Sequence, residues 1–326
     1  MKKYTLTLLF LAVTLCVSSQ HLFVGTYNIR YDNPDDRKDG NAWPKRCQVI
    51  CDMMNFEQPD VFGTQEVLVG QLRDLKRGLD GYDCIGVGRD DGKEAGEYSA
   101  IFYKKEKLKR LDSGNFWLNE TPYKPALGWD AACIRICTWG EFRDVKTGLK
   151  FYFFNLHMDH VGVVARREAA KLVVRKIKEI AGSNAPVILT GDFNVDQHDE
   201  IYQIFTQSGL LKDSYTAARM RFAENGTFQG FNPSLMTDSR IDHVFVSNRF
   251  QVNQYGILTN GYWTEGTSRE VSKEGAAPQE LNFRQYVHRL PSDHYPVMVK
   301  LEYRKRAVIY RTTLYRTAKK IKARRA

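Results

Sequence analysis

Acidic, amide and histidine side chains stand at the ends of apolar runs in this 326-residue sequence. They are Asn28 in VGTYNIR, Glu66 in PDVFGTQE, His157 and Asp159 in FYFFNLHMD, Asp192 and Asn194 in VILTGDFN, Asp242 in SRIDHVFVS, and Asp293 and His294 in PSDHYPV. A single such residue is usually a turn or cap. Several of them just past apolar strands predict one site at the edge of a sheet, because sites in layered folds form there.

These residue types favour metal-assisted chemistry on phosphate. Oxygen ligands without paired Cys or His suit Mg²⁺, with Mn²⁺ as the alternative, rather than zinc. Such an ion binds a phosphate oxygen and stabilises the charge on the leaving oxygen. A His held by a carboxylate can orient or deprotonate an attacking water. The sequence has no G-x-S-x-G motif, and its cysteines have no evident His partner, so a covalent Ser or Cys nucleophile is disfavoured.

The elements that must position these groups are strands interleaved with a few helices. Apolar runs bounded by turn residues predict strands at 22–29, 60–63, 99–103, 134–143, 149–157, 187–190, 243–246 and 295–303, with a hairpin turn at Gly148. Helices are predicted from Pro44 onward, over 163–181 and over 199–207. This order indicates an α/β sandwich of two packed sheets with helices outside. The polar stretch 264–284 is predicted to be a long loop.

The beginning of the chain has the pattern of a secretory signal. Two lysines, the apolar run 8–17 and two serines precede a suitable cleavage position before Gln20. Residues 1–19 are therefore expected to be removed, and the protein to be periplasmic or extracellular. The run is short for a membrane anchor, and Leu15 disfavours lipid modification of Cys16.

The net charge of +10 comes from the other end. Residues 304–326 contain ten Lys or Arg and no acid, so 38 basic residues balance 38 acidic ones elsewhere. The domain predicted for residues 20–303 therefore has no long-range attraction for duplex DNA. If the tail is helical, its apolar stripe and basic flanks suit an anionic membrane. A nucleic-acid-binding arm and a solvated, disordered tail are the alternatives.

Five of the six cysteines lie outside the predicted signal. Cys47 and Cys51 form one C-x3-C pair and Cys133 and Cys137 another, while Cys84 stands alone. Neither pair has the spacing of a structural zinc site. The odd number argues against a complete disulfide framework, so we expect small buried residues with at most one or two disulfides.

The ordered set T-Y-N-I-R, T-Q-E, N-L-H-x-D, T-G-D-F-N, R-I-D-H-x-F and S-D-H-Y-P resembles the endonuclease/exonuclease/phosphatase superfamily. This group includes pancreatic deoxyribonuclease, neutral sphingomyelinases, inositol-polyphosphate 5-phosphatases and messenger-RNA deadenylases. The resemblance spans residues 22–302, and G-D-F-N followed by S-D-H is its most specific part. It implies a four-layer α/β sandwich, with two mixed sheets packed face to face, and a Mg²⁺-dependent hydrolase of phosphate esters.

The resemblance also implies roles for matched positions. Glu66 would be the principal metal ligand, with Asn28 and Asp293 completing or flanking the metal site. Asp192 and Asn194 would orient the nucleophilic water and the scissile phosphate.

The same resemblance gives the two histidines different roles. His294, held by Asp242, would be the general base or a transition-state partner. His157 would contact the phosphate and could assist the leaving group, with Glu97 matching a carboxylate that supports it. Because some branches have Tyr at this His position, an abasic-site endonuclease is disfavoured.

The stretch GWDAACIRICTW is similar to that of uncharacterised secreted bacterial members. Arg135 within it is a candidate phosphate contact, with a surface ion pair as the alternative. Asp159 and His160 either extend the site or are structural. The segment Asp32 to Trp43, with four acids, either narrows the cleft and repels polyanions or is a solvated loop.

The near-neutral body favours a small phosphodiester, a nucleotide or a lipid headgroup over long duplex DNA. The sequence therefore predicts a monomeric phosphodiesterase, with a phosphomonoesterase acting on an inositol or sugar phosphate as the alternative. A non-catalytic binding module of the same fold is disfavoured, because Glu66, Asp192, Asp242 and His294 are all present.

Overall fold

The structure, a computed structural model, describes residues 20–271, 278, 280–281 and 283–303. The predicted signal 1–19 and the basic tail 304–326 lie outside the described residues, and both stay predictions. The helices are α1 (Pro34–Lys38), α2 (Trp43–Glu57), α3 (Val69–Gly78), α4 (Val163–Ala181), α5 (Glu200–Thr206) and α6 (Ser214–Ala217). The strands are β1 (Gln20–Asn28), β2 (Val61–Gln65), β3 (Tyr82–Ile85), β4 (Ile101–Lys104), β5 (Leu108–Trp117), β6 (Ile136–Asp144), β7 (Lys150–His157), β8 (Val187–Asp192), β9 (Leu211–Asp213), β10 (Met220–Phe222), β11 (Asp242–Ser247), β12 (Phe250–Ile257), β13 (Tyr262–Val271), β14 (Phe283–Arg289) and β15 (Val297–Tyr303).

Two mixed sheets form the centre of the fold. One has the strand order β10-β12-β15-β1-β2-β4-β3, and the other has the order β5-β6-β7-β8-β11-β9. Each strand and helix that the sequence predicts is present, and Gly148, at a φ of 72°, lies in the turn between β6 and β7. The predicted four-layer α/β sandwich is confirmed.

Three apolar clusters account for the four layers. The first lies between the sheets and joins side chains such as Val24 and Val299 to Phe153 and Val244. The second packs α4 and α5 on the outer face of the six-stranded sheet. The third packs α2 and α3 on the outer face of the seven-stranded sheet. Each sheet is therefore buried on both faces, which explains why most of its strands are recognisable as continuous apolar runs.

A polar cluster links the two sheets near the edge where the site lies. Asn155 on β7 is fully buried and donates to the carbonyls of Thr64 (2.9 Å) and Ala100 (3.0 Å) across the sheet interface. Its Oδ1 accepts from Gln65 Nε2 (2.6 Å) and Thr190 Oγ1 (3.1 Å). These bonds fix one sheet against the other, since a buried polar group left unpaired would cost free energy.

The loop predicted over 264–284 is wrong at both of its ends. β13 pairs antiparallel with β14 in a separate two-stranded hairpin. The prediction failed because the hairpin packs neither face on a core: Trp263, Tyr286 and Val287 are all exposed. Without a buried face, the strands lack the alternation that identifies a strand from sequence.

All five cysteines among the described residues are free thiols. Cys51 and Cys137 are buried, in agreement with the expected packing role. Burial raises the pKa of the Cys84 thiol to about 11, so that thiol is protonated at neutral pH. No helix among the described residues is long and apolar enough to cross a membrane.

Candidate active site

A cleft of about 620 Å³ opens where the carboxyl ends of β1, β2, β7 and β8 meet the amino ends of β11 and β15. The seven-stranded sheet and the segment before β15 contribute Asn28, Glu66, Asp293 and His294, while the six-stranded sheet contributes His157, Asp192, Asn194 and Asp242. Strand pairing sets the spacing, because Asp192 lies opposite both His157 and Asp242 in register. The structure thus brings the predicted site residues together from both sheets.

The Asn28 amide lies at the centre of the site. Its Nδ2 donates to Glu66 Oε1 (3.0 Å) and Asp192 Oδ2 (3.0 Å) and lies 3.4 Å from His294 Nε2. Its Oδ1 accepts from the backbone N–H of Arg30 (3.0 Å). In this arrangement Asn28 presents its nitrogen, and it orients the two carboxylates; offering an oxygen to a metal would require the amide to rotate.

His294 and Asp242 form a buried pair. His294 Nδ1 lies 2.8 Å from Asp242 Oδ2, and Nε2 faces Asp192 Oδ2 at 3.7 Å. Burial alone would lower the pKa of His294, but the Asp242 and Asp192 carboxylates raise it well above its usual value. The His294 ring is therefore positively charged and lies between the Asp242 and Asp192 carboxylates.

Negative charge is in excess around His294. Burial and the neighbouring Asp242 carboxylate raise the pKa of Asp192. Burial also raises the pKa of Asp293, and Glu66 contributes to this rise. Carboxylates that destabilise one another's ionised form in this way are suited to a cation placed among them.

The donor set fits a hard divalent cation. Oxygen atoms of Glu66 and Asp192 lie within 4.8 Å of one another and of a His157 nitrogen, so one ion could reach both carboxylates. Both Glu66 oxygens are oriented, one by Asn28 and the other by the backbone N–H of Tyr31 (3.1 Å). Oriented carboxylates with a surplus of negative charge are what Mg²⁺ or Mn²⁺ requires.

His157 lies on the opposite side of Asp192 from His294. Its Nε2 is 3.5 Å from Asp192 Oδ2 and 3.2 Å from Asn194 Nδ2. Glu97, the predicted support, faces Nδ1 at 3.9 Å, which is too long for a hydrogen bond, and instead accepts from Arg89 Nη1 (2.6 Å). Burial, followed by the charges of the neighbouring arginines, lowers the pKa of His157 well below its usual value, so this ring is neutral.

Arg135 is buried rather than part of a surface ion pair. Its Nε lies 3.4 Å from Asp159 Oδ2, its Nη2 donates to His160 Nδ1 (3.0 Å), and its Nη1 has no hydrogen-bond partner. Asp159 also accepts from four backbone N–H groups, of Ala132, Cys133, Val161 and Gly162. Asp159 and His160 therefore hold Arg135 at the wall of the cleft.

Three residues at the cleft have backbone angles that are unusual for side chains other than glycine. Arg30, Glu66 and Asn194 have φ values of 58°, 62° and 49°. Each follows the end of a central strand and turns its side chain into the cleft. Such strain persists only where the surrounding structure holds it, and it is concentrated at functional sites.

Three arginines of the site were not predicted: Arg89, which binds Glu97, and also Arg30 and Arg46. Arg30 lines the cleft, lies 3.5 Å from Asp293 Oδ2, and is held by Asp36, a buried acid of α1. Arg46, on α2, is fully buried and donates to main-chain carbonyls of three segments, those of Ile29, Arg30, Asn41 and Pro291. The acidic segment 32–43 is thus partly helical, and its Asp36 positions the positively charged side chain of Arg30.

Comparisons with known proteins agree with this geometry. The model of the Endonuclease/Exonuclease/phosphatase family matches residues 25–294. The chain belongs to the endonuclease/exonuclease/phosphatase family. Members are phosphoester hydrolases that depend on a divalent metal, and this protein is an enzyme of that class.

Two similar solved structures come from Bacteroides thetaiotaomicron. A family member is 48% identical with a TM-score of 0.81, and the match covers 88% of this chain and 99% of that one. A mannosyl-6-phosphatase is 49% identical with a TM-score of 0.78, and the match covers 86% of this chain and 99% of that one. An uncharacterised protein of Acanthamoeba polyphaga mimivirus is 26% identical over 245 residues, covering 68% of this chain and 87% of the viral protein.

Proposed function

We propose that this enzyme is a Mg²⁺-dependent phosphomonoesterase that releases phosphate from a phosphorylated sugar. The observation that carries the proposal is the 49% identity to a mannosyl-6-phosphatase across nearly all of that protein. The near-neutral charge of residues 20–303 supports a small substrate over a polyanion. Mn²⁺ is the alternative ion.

In the proposed site, Glu66 is the principal metal ligand, Asp192 lies within reach of the same ion, Asp293 flanks the metal site, and Asn28 orients Glu66. The bound ion would neutralise charge on the phosphoryl group and on the leaving oxygen. Arg30, fixed by Asp36, adds a positive charge next to Asp293. This wall of the cleft is where we place the sugar oxygen that leaves.

Asp192, Asn194 and His294 act on the opposite side of the phosphoryl group. Asp192 Oδ2 is within 3.7 Å of the imidazoles of His157 and His294. A water bound next to this carboxylate is therefore oriented and can pass a proton to Asp192. The water oxygen bonds to phosphorus as the bond to the sugar oxygen breaks. The sugar oxygen takes up a proton from a solvent water, Asp192 releases to solvent the proton it received, and the products are the free sugar and inorganic phosphate.

His157 and Arg135 are proposed to bind the phosphoryl oxygens. The neutral His157 ring can donate a hydrogen bond, and Arg135 supplies charge from the same wall. Phosphoryl transfer depends mainly on such positioning and charge stabilisation. Glu97 supports this wall through Arg89.

The test uses the chain from residue 20 onward and compares its activity on four phosphate esters. Mannose 6-phosphate, glucose 6-phosphate, bis(p-nitrophenyl) phosphate and single-stranded RNA are each incubated with Mg²⁺, with Mn²⁺ or with a chelator. The proposal requires metal-dependent release of phosphate from a hexose phosphate, lost in His294→Ala. Faster cleavage of the diester or RNA would support the phosphodiesterase predicted from sequence instead.

A further inference from the structure

Phe228 is an apolar side chain in a cleft lined mainly by charged groups. It is 44% exposed, and it lines the same cleft as Glu66, His157 and Asp293. Its ring packs edge-on against the ring of His294, with a centroid distance of 5.0 Å and an interplanar angle of 71°. An aromatic ring therefore lines the cleft directly beside His294.

The position of Phe228 is fixed by hydrogen bonds to the segment that carries His294. The two residues form an isolated antiparallel bridge. On either side, Gln229 N donates to Asp293 O (3.0 Å) and Tyr295 N donates to Thr227 O (2.7 Å). The Gln229 side chain also donates to Ser292 O (2.7 Å).

A second set of bonds connects the same loop to the other sheet. Thr227 Oγ1 accepts from the backbone N–H groups of Ile241 (3.0 Å) and Asp242 (3.1 Å). Phe228 is thus held between the segments that carry His294 and Asp242. A scattered exposed phenylalanine needs no explanation, but one fixed at the mouth of an active site is placed to contact a ligand.

We propose that Phe228 is a specificity-determining residue that packs against the apolar face of the sugar ring; the inference rests on the proposed sugar-phosphate substrate. A pyranose ring presents several C–H groups on one face, and the π-face of an aromatic ring attracts such electropositive edges. The Phe228 segment is also bonded to Asp293, on the wall that receives the leaving sugar oxygen, so the ring attached to that oxygen lies within reach of Phe228. Phe228 therefore selects cyclic sugar phosphates over acyclic phosphate esters of equal charge.

The experiment measures kcat/KM for mannose 6-phosphate and for glycerol 3-phosphate, in the wild type, Phe228→Leu and Phe228→Trp. Leu retains apolar contact with His294 but lacks a ring face. We expect Phe228→Leu to lower the ratio of the two kcat/KM values about five- to tenfold, mainly by raising KM for the hexose phosphate. Phe228→Trp should keep the ratio within about twofold of the wild type.

Phe56→Leu on α2, where the side chain is exposed and does not line the cleft, is the matched control and should change neither value. If Phe228→Leu lowers both kcat/KM values equally, Phe228 only packs on His294, and the inference is overturned. A wild type that cleaves both esters equally well overturns it while leaving phosphomonoesterase activity intact. A wild type that cleaves neither ester overturns the proposed function and this inference together.

Discussion

Two depressions of similar size lie at opposite edges of the sheets, and they differ in what lines them. The cleft measures about 620 Å³, and a groove at the other edge, which we call the far groove, measures about 530 Å³. The far groove is lined by His21, Leu22, Phe23, Asp60, Lys107, Arg219, Met220, Asn253, Gln254, Lys300 and Leu301. Volume alone therefore does not identify the site.

The difference lies in buried polar atoms that have no partner. In the cleft wall, Arg89 Nε, Arg135 Nη1 and His157 Nδ1 are buried without a hydrogen bond, and Asp242 Oδ1 behind them is unpaired too. Among the described residues, no side chain lining the far groove has such an atom. Unpaired buried groups cost stability, so the presence of three of them in the cleft wall, against none in the far groove, indicates a function in the cleft rather than a structural role.

The largest expected effect comes from the His294–Asp242 pair. Replacing His294 with Ala removes the group that faces Asp192, and kcat/KM for a hexose phosphate should fall by about 10²–10⁴-fold. Steady-state kinetics checks this, with His21→Ala in the far groove as the matched control. Comparable losses in both variants would remove the distinction between the two depressions.

A smaller effect is expected for Arg46→Lys. Lys cannot reach the four carbonyls that Arg46 binds, so the segments that carry Asn28 and Asp293 become less fixed. We expect the Mg²⁺ concentration for half-maximal activity to rise about tenfold. The control is Arg240→Lys, a buried arginine that pairs with Asp213. If both variants lose thermal stability but neither changes its Mg²⁺ requirement, Arg46 has only a structural role.

Asp159 should make the stability of the protein depend on pH. Five N–H donors outweigh the opposing effect of burial and lower its pKa to about 2, below the usual 3.8. A lowered folded-state pKa contributes stability above pH 3.8, and this stability is lost as the pH falls towards 2. Asp159→Asn should therefore reduce the free energy of unfolding at pH 7 by about 1–2 kcal/mol. Urea unfolding of the wild type and of Asp159→Asn from pH 7 to pH 2 should show their difference in unfolding free energy shrinking below pH 4. A difference that does not change with pH would contradict this role of Asp159.

The smallest effect is expected in the far groove. Asp60 is buried, and its Oδ2 accepts from Phe23 N (2.8 Å) and Lys107 Nζ (2.7 Å). Asp60→Asn should lower the free energy of unfolding by about 1 kcal/mol and leave kcat/KM unchanged. Equilibrium unfolding and steady-state kinetics on the same sample separate the effect on stability from the effect on activity. A drop in kcat/KM would show that the far groove contributes to the activity.

The sequence predicted the positions of Asp192, Asp242 and His294 because a strand's end can be located from its apolar run. It did not predict Arg46, because an arginine is rarely buried, although Arg46 lies three residues after Trp43 and four before Ile50 on the buried face of α2. The partners of Arg46 are main-chain carbonyls, and these leave no trace in residue types. The Glu97–His157 contact was inferred from resemblance alone, and it is altered here because Arg89 takes the carboxylate.

Elements without a buried face could not be predicted from the sequence either. None of the described side chains of β13 and β14 is buried, so no apolar run marks these strands. Phe228 lies in a polar segment between strands, where no periodicity distinguishes a fixed aromatic ring from a solvated one. In both cases the information lies in tertiary contacts rather than in local pattern.

The polar cluster around Asn155 restricts how the enzyme can move. The site draws Glu66 from one sheet and Asp192 from the other, so sliding of the sheets would change the distance between the carboxylates. Asn155 bonds to residues of β2 and β8 and to Ala100, and the close approach of Gly63 to its side chain leaves no room for a methyl group. These contacts hold the two halves as a single frame, so we expect substrate entry and product departure to depend on the loops at the rim. Raising the temperature should loosen those loops well before the carboxylates separate.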